Sequence, residues 1–238
     1  MNEILIFLLS LAGAFVLRVC GFGFLTMAWL PYLLPSYGEA TTLSGILAMA
    51  GSILVAFKNW RKIDWHKLTP ILITFIVSSC ASLHFVSVAD DHLLKRILGV
   101  MLIIASLWFL AISKHVKVKP TLPVQITMGT ISGVMGGLFA MHGPAAVLYF
   151  LACAKDKDEY VVLTMTYLLL GNIMMLGFRI HNGFLTPAVG HAFLYGIFAV
   201  AIGTWVGSKV FHRLSTDVVK KISYAYIAIS GVLSLVMS

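Results

Sequence analysis

Two long apolar stretches of this chain are broken at matching places. Gly21-Phe22-Gly23-Phe24 interrupts residues 3–35, and His142-Gly143-Pro144 interrupts residues 122–154, 120 positions later. Each stretch is too long for one helical crossing of a bilayer and too short for two. Beyond each break only about 11 or 12 residues remain, roughly 17 Å of helix against a hydrocarbon core of about 30 Å. Arms of that length cannot cross alone. Paired interruptions in corresponding positions of two halves point to a carrier whose solute site is built where helices are broken.

Composition supports a membrane reading. With 60% hydrophobic residues, 11% charged residues and a mean hydropathy of +0.96, a soluble fold could not cover its own surface. The expected class is an all-α polytopic membrane protein, with six full spans near 39–57, 68–88, 93–113, 159–178, 188–208 and 218–237. The excess of 17 Lys and Arg over 9 Asp and Glu would suggest nucleic acid in a soluble chain, but most of these basic residues sit in short loops between apolar segments. They read as topology signals, so the expected partner is the lipid bilayer and no nucleic acid. Met1-Asn2-Glu3 lacks the positive start of a signal peptide, so the first apolar segment is expected to stay in the protein. Cys20, Cys80 and Cys153 lie inside apolar segments and read as packed thiols, with no metal site, disulfide or cofactor expected.

The basic residues also choose between two models of the broken stretches. If both cross fully, the loops carry eight Lys and Arg on each side. If both are re-entrant hairpins, Lys58, Arg61, Lys62, Lys67, Lys114, Lys117, Lys119, Lys155, Lys157, Lys209, Arg213, Lys220 and Lys221 share one side, and Lys95, Arg96 and Arg179 face the other. The 13 to 3 split obeys the positive-inside rule, which favours hairpins and turns both termini outward.

Each half then holds one hairpin and three crossings, an odd number that inverts the second half, giving eight helical segments in all. At an offset of 120, Gly13, Gly23, Glu39, Leu43 and Gly51 meet Gly133, Gly143, Glu159, Leu163 and Gly171. Asp91 to Ile97 resembles Thr216 to Ile222 at an offset of 125. The expected organisation is a first repeat at 1–113, a basic linker at 114–121 and a second repeat at 122–238.

A half-helix that begins near the midplane presents unpaired N–H groups and the positive end of its dipole, which favours an anion. Pro144 suits the first turn of such a helix, and Gly21, Gly23 and Gly143 permit positive φ and close backbone approach. Two such ends, one from each half, are expected to face each other. The competing reading is a pair of ordinary glycine kinks that let helices pack closely. Arg18 lies three residues before the first break inside an apolar run, so it must face protein or water, either as an anion ligand or as an internal strut. His142 could bind the anion, carry a proton, or only hydrogen-bond the turn. Asn172 is the best of the remaining polar candidates. Thr41, Thr42, Ser44, Thr164, Thr166 and Tyr167 are weaker, because hydroxyls commonly bond their own helix. His84 and His191 read as structural, and Trp29, Trp60, Trp65 and Trp108 as interfacial belt residues.

These features together resemble the TauE/SafE sulfite exporter family, also called the toluene sulfonate uptake permease family, over nearly the whole chain. The resemblance is carried by the glycine break followed by Pro31, by the Lys58 to Trp65 loop ending in Asp64-Trp65, and by Gly129 to Pro144 with Gly133, Gly136, Gly143 and Pro144. It implies a multi-pass protein of the bacterial inner membrane that moves sulfite, sulfonates or other small sulfur-containing anions. Where the family's first break reads Gly-x-Gly-Gly-Gly, this chain has Gly21-Phe22-Gly23-Phe24. Two aromatic rings there would narrow the cavity, which leaves the substrate open to anions other than sulfite.

The resulting expectation is a secondary carrier for a small sulfur-containing anion, exporter or permease, working by alternating access, with Arg18, Gly21, Gly23, Phe24, His142, Gly143, Pro144 and Asn172 around the substrate. A cation or proton-coupled transporter is the alternative, although the acidic residues Asp64, Asp90, Asp91, Asp156, Asp158 and Glu159 sit near loops. No catalytic pair is apparent, so no enzyme is expected. Glycine faces on several spans permit a homodimer without demanding one.

Overall fold

The computed structural model describes residues 2–20, 25–90, 92–94, 96–97, 100, 121–140, 144–219, 221–222 and 225. Among them the regular secondary structure is all helical: α1 (Asn2–Cys20), α2 (Leu25–Leu33), α3 (Tyr37–Lys58), a 3₁₀ turn (Trp60–Lys62), α4 (Trp65–Val88), α5 (Leu122–Phe139), α6 (Pro144–Cys153), α7 (Lys157–His181) and α8 (Pro187–Arg213). Six of these, α1, α3, α4, α5, α7 and α8, are long and apolar enough to cross a membrane. The spans expected near 39–57, 68–88, 159–178 and 188–208 fall within α3, α4, α7 and α8. Those expected at 93–113 and 218–237, with the linker and Trp108, lie largely outside the described residues.

Helix boundaries follow local chemistry. Ser36 and Asp156, related by the same offset of 120, cap α3 and α7 by accepting from the backbone N–H of Glu39 at 3.2 Å and Glu159 at 2.8 Å. Each cap satisfies a donor that the first helical turn leaves open. Thr186 does the same for α8, whose first residue is Pro187. α5 stops at Ala140, which takes the left-handed conformation at φ 53° and returns its N–H to the Gly136 carbonyl. The next described helix begins at Pro144, the position expected from its missing N–H.

The short arms are as brief as the sequence requires, 9 residues in α2 and 10 in α6. α6 is apolar all round, and every residue from Ala145 to Leu151 is buried, so it is a core element enclosed by protein. α2 is more peripheral, with Trp29 and Tyr32 exposed.

Register fixes the direction of each helix. α3 and α7 run antiparallel: Thr41 meets Arg179, and Gly45 sits against both Arg179 and Asn172. α1 and α8 run parallel, with Gly203 against Leu11 and Ala14 and Gly207 against Phe15 and Arg18. α4 and α5 are also parallel, since Gly129, Gly133 and Gly137 step along Ile71, Phe75 and Ser79. One end of the bundle therefore gathers the C-termini of α3, α6 and α8 and the N-termini of α4, α5 and α7. Hydrogen bonds stitch it together: Tyr149 of α6 contacts the Gln125 side chain of α5 at 2.7 Å and donates to the Lys67 carbonyl of α4 at 3.2 Å. Lys157 of α7 donates to the Phe211, His212 and Leu214 carbonyls at the end of α8. This end carries Lys58, Arg61, Lys62, Lys67, Lys155, Lys157 and Arg213. α5 starts here and α6 returns here, while α1 and α3 both start at the opposite end.

The two halves pack reciprocally. The first helix of each half lies along the last long helix described in the other, α1 on α8 and α5 on α4, while α3 and α7 meet in the middle. Two expectations from sequence need correction. Arg179 is not a loop residue, because α7 continues through it and it is 2% exposed. Cys80 is not packed, because it points to the outer face of α4.

The α4–α5 seam is close because glycine makes it so: a Cβ on Gly133 would lie 2.5 Å from the Phe75 carbonyl oxygen, whereas one on Gly177 meets nothing within 4 Å. Gly133→Ala is expected to destabilise the protein by about 1–3 kcal/mol, and Gly177→Ala to leave it unchanged or slightly firmer. Thermal unfolding of both variants in detergent tests this. Equal midpoints would mean that the seam is loose.

Candidate functional site

The breaks are held from across the molecule. The Tyr160 hydroxyl, at the start of α7, donates to the Cys20 carbonyl where α1 ends. The Tyr37 hydroxyl, at the start of α3, donates to the Leu138 carbonyl where α5 ends, at 2.9 Å. A helix end leaves carbonyls without intrahelical partners, and here each half supplies a phenol to the other half's break. Because Tyr160 and Tyr37 sit at opposite ends of the bundle, the C-terminal ends of α1 and α5 lie at opposite ends as well. Beyond the first break, Thr26 of α2 contacts Gly13 and lies 3.4 Å from the Ser44 hydroxyl of α3. Gly21, Gly23, Phe24, His142 and Gly143 lie outside the described residues, as does the side chain of Pro144.

Arg18 is 7% exposed, near the C-terminal end of α1. Its Nε–H donates to the Ser208 hydroxyl at 2.8 Å, and its guanidinium lies 4.8 Å from the centre of the Phe211 ring. Its Nη1 has no hydrogen-bond partner among the described residues. The side chain borders a cavity of about 1290 Å³ between α3 and α8, whose polar lining includes Lys58, Lys62, Asp156, Asp158 and Ser208. Nε of Arg18 is thus held by α8, while Nη1, itself buried, is unpartnered among the described residues beside a cavity at the basic end.

Beside this cavity Lys67 of α4 makes a 2.6 Å ion pair with Glu159 of α7, whose other oxygen accepts the Lys155 backbone N–H. Asp64 stands 3.7 Å from the same ammonium. Trp60 and Trp65 meet edge to face at 5.1 Å and are exposed, in keeping with a belt role.

Asn172 is not part of the Arg18 site. It lies 12 residues along α7 from Tyr160, about 18 Å of helix rise toward the opposite end. Its Nδ2 donates to the Leu168 carbonyl, and its Oδ1 has no partner among the described residues. Its neighbour is Arg179, whose Nη1 donates to the Thr41 carbonyl at 3.0 Å. The sequence signal for Arg179 was present, a cation between Phe178 and Ile180, but its nearness to a loop disguised it. Thr41 and Thr42 bond the Gly38 carbonyl and Thr164 that of Tyr160, whereas Ser44 lies beside the Thr26 hydroxyl and Thr166 Oγ1 has no partner among the described residues. Tyr167 contacts the Ser132 hydroxyl of α5 at 2.7 Å. His191 faces Glu3 at 3.1 Å on an exposed surface.

A family model described as Sulfite exporter TauE/SafE matches residues 5–234, nearly the whole chain. The chain belongs to that family. As a TauE/SafE protein it is a membrane protein of the sulfite-exporter type of transporter. No curated protein and no solved structure matches it.

In this TauE/SafE chain the Lys67–Glu159 pair ties α4 to α7 at the basic end. Lys67→Met leaves a half-buried carboxylate without its cation, and a loss of about 1–3 kcal/mol is expected. Chemical denaturation in detergent would measure it, and an unchanged midpoint would assign the pair no structural weight.

Proposed function

We propose that the protein is a secondary carrier for a small sulfur-containing anion such as sulfite or an organosulfonate, in a bacterial inner membrane with both termini outward. The carrying observation is Arg18, a buried guanidinium with one donor group unpartnered among the described residues, bordering a large cavity three residues before the first break. A buried cation with free donors beside an interrupted helix is a receptor for an anion. Arg18 would bind the anion together with the backbone N–H groups after Gly23, and those after Gly143 would meet it farther along a route lined by Gly21, Phe24, Pro144 and Asn172.

The proposed mechanism is alternating access between two inverted repeats. The antiparallel α3–α7 pair and the reciprocal packing of α1 on α8 and α5 on α4 support an exchange of roles between the halves. His142 would couple a proton to the cycle.

Uptake or efflux of labelled sulfite in vesicles of reconstituted protein tests the reading. Arg18→Ala is expected to lower transport more than tenfold, and Arg18→Lys to retain part of it through charge alone. Unchanged kinetics in both would leave Arg18 a strut. His142→Gln should flatten the pH dependence of transport, and an unaltered profile would remove the coupling role.

A further inference from the structure

Arg179 stands out among the residues that the Arg18 site does not use. Its guanidinium and the Asn172 amide are each 2% exposed, and both converge on Gly45, in the seam between α3 and α7. A Cβ at Gly45 would lie 2.6 Å from Nη1 of Arg179 and 3.0 Å from Oδ1 of Asn172, so the missing side chain makes room for both groups. Nη1 is held by the Thr41 carbonyl, while Nε and Nη2 have no partner among the described residues, and neither does Asn172 Oδ1. No ion pair to Arg179 occurs among the described residues.

The identity of the unpartnered atoms matters. Nε–H and Nη2–H point the same way, forming the parallel fork of the guanidinium that receives two oxygens of one oxyanion. A strut would direct that fork at carbonyls or a carboxylate. Here the remaining nitrogen is the anchored one, and the fork is left open in a place where an unmet cation is costly.

We propose that Arg179 and Asn172 form a second anion site, taking a small oxyanion with two oxygens on the Arg179 fork and a hydroxyl, amine or bridging water donating to Asn172 Oδ1. On α7, Arg179 lies 19 residues beyond Tyr160, the residue bonded to the end of α1, or about 28 Å of helix rise. The site therefore serves the half of the route opposite Arg18. This proposal rests on the reading of the protein as an anion carrier, but it requires its own residues.

Equilibrium binding of labelled sulfite to the purified full-length protein in detergent, with methanesulfonate, nitrate and acetate as competitors at fixed ionic strength, tests it. Arg179→Lys keeps the charge and loses the fork, and Gly45→Ala keeps the arginine and crowds it. Each is expected to weaken binding at the second site at least tenfold while the Arg18 site stays filled, turning a two-site isotherm into a one-site one, and Gly45→Ala decides the matter if Arg179→Lys does not fold. Wild-type affinity in both variants, or no oxyanion bound by the wild type, overturns the proposal. Binding lost only in Arg18→Lys overturns it while leaving the carrier reading intact. Binding of nitrate or acetate that depends on Arg179, with no sulfur anion bound, supports this site and removes the sulfur-anion reading.

Discussion

A broken helix in a bilayer exposes backbone groups that lipid cannot satisfy, so it is tolerated only where protein surrounds it. That requirement organises this molecule. α6, too short to cross and apolar on every face, is buried along nearly its whole length. The carbonyls released at the ends of α1 and α5 are taken by Tyr160 and Tyr37 from the opposite half. Neither half could provide this enclosure alone, since each break depends on a phenol belonging to the other.

The closeness of the outer walls follows from the same need. On the α4–α5 seam, glycines at every fourth position bring the backbone of one helix against the carbonyls of the other. The α1–α8 seam achieves a comparable approach with its glycines on α8. The two seams thus reach a similar closeness with their glycines placed differently, on α5 in one and on α8 in the other.

Much of this was legible in the sequence because it depends on spacing along the chain. The lengths of the apolar stretches set the short arms, Pro144 marked a helix start, and the basic residues marked one end. What was hidden depends on contacts between distant segments. Tyr37 and Tyr160 carry no local signal of a role at a break 101 or 140 residues away. Arg179 looked like a loop cation because it lies four residues before a glycine, yet the helix runs past it and α3 covers it. Asn172 drew notice as a polar residue in an apolar run, but only the fold reveals that it faces Arg179 and not Arg18.

The two capped glutamates, Glu39 and Glu159, occupy matching positions in the halves but not matching circumstances. Glu159 is locked to Lys67, whereas Glu39 is buried with one carboxylate oxygen unmet among the described residues. The charge pair that fastens α4 to α7 at the basic end therefore has no counterpart at Glu39, which makes no ion pair among the described residues, so two residues in like capped positions load the bundle unequally.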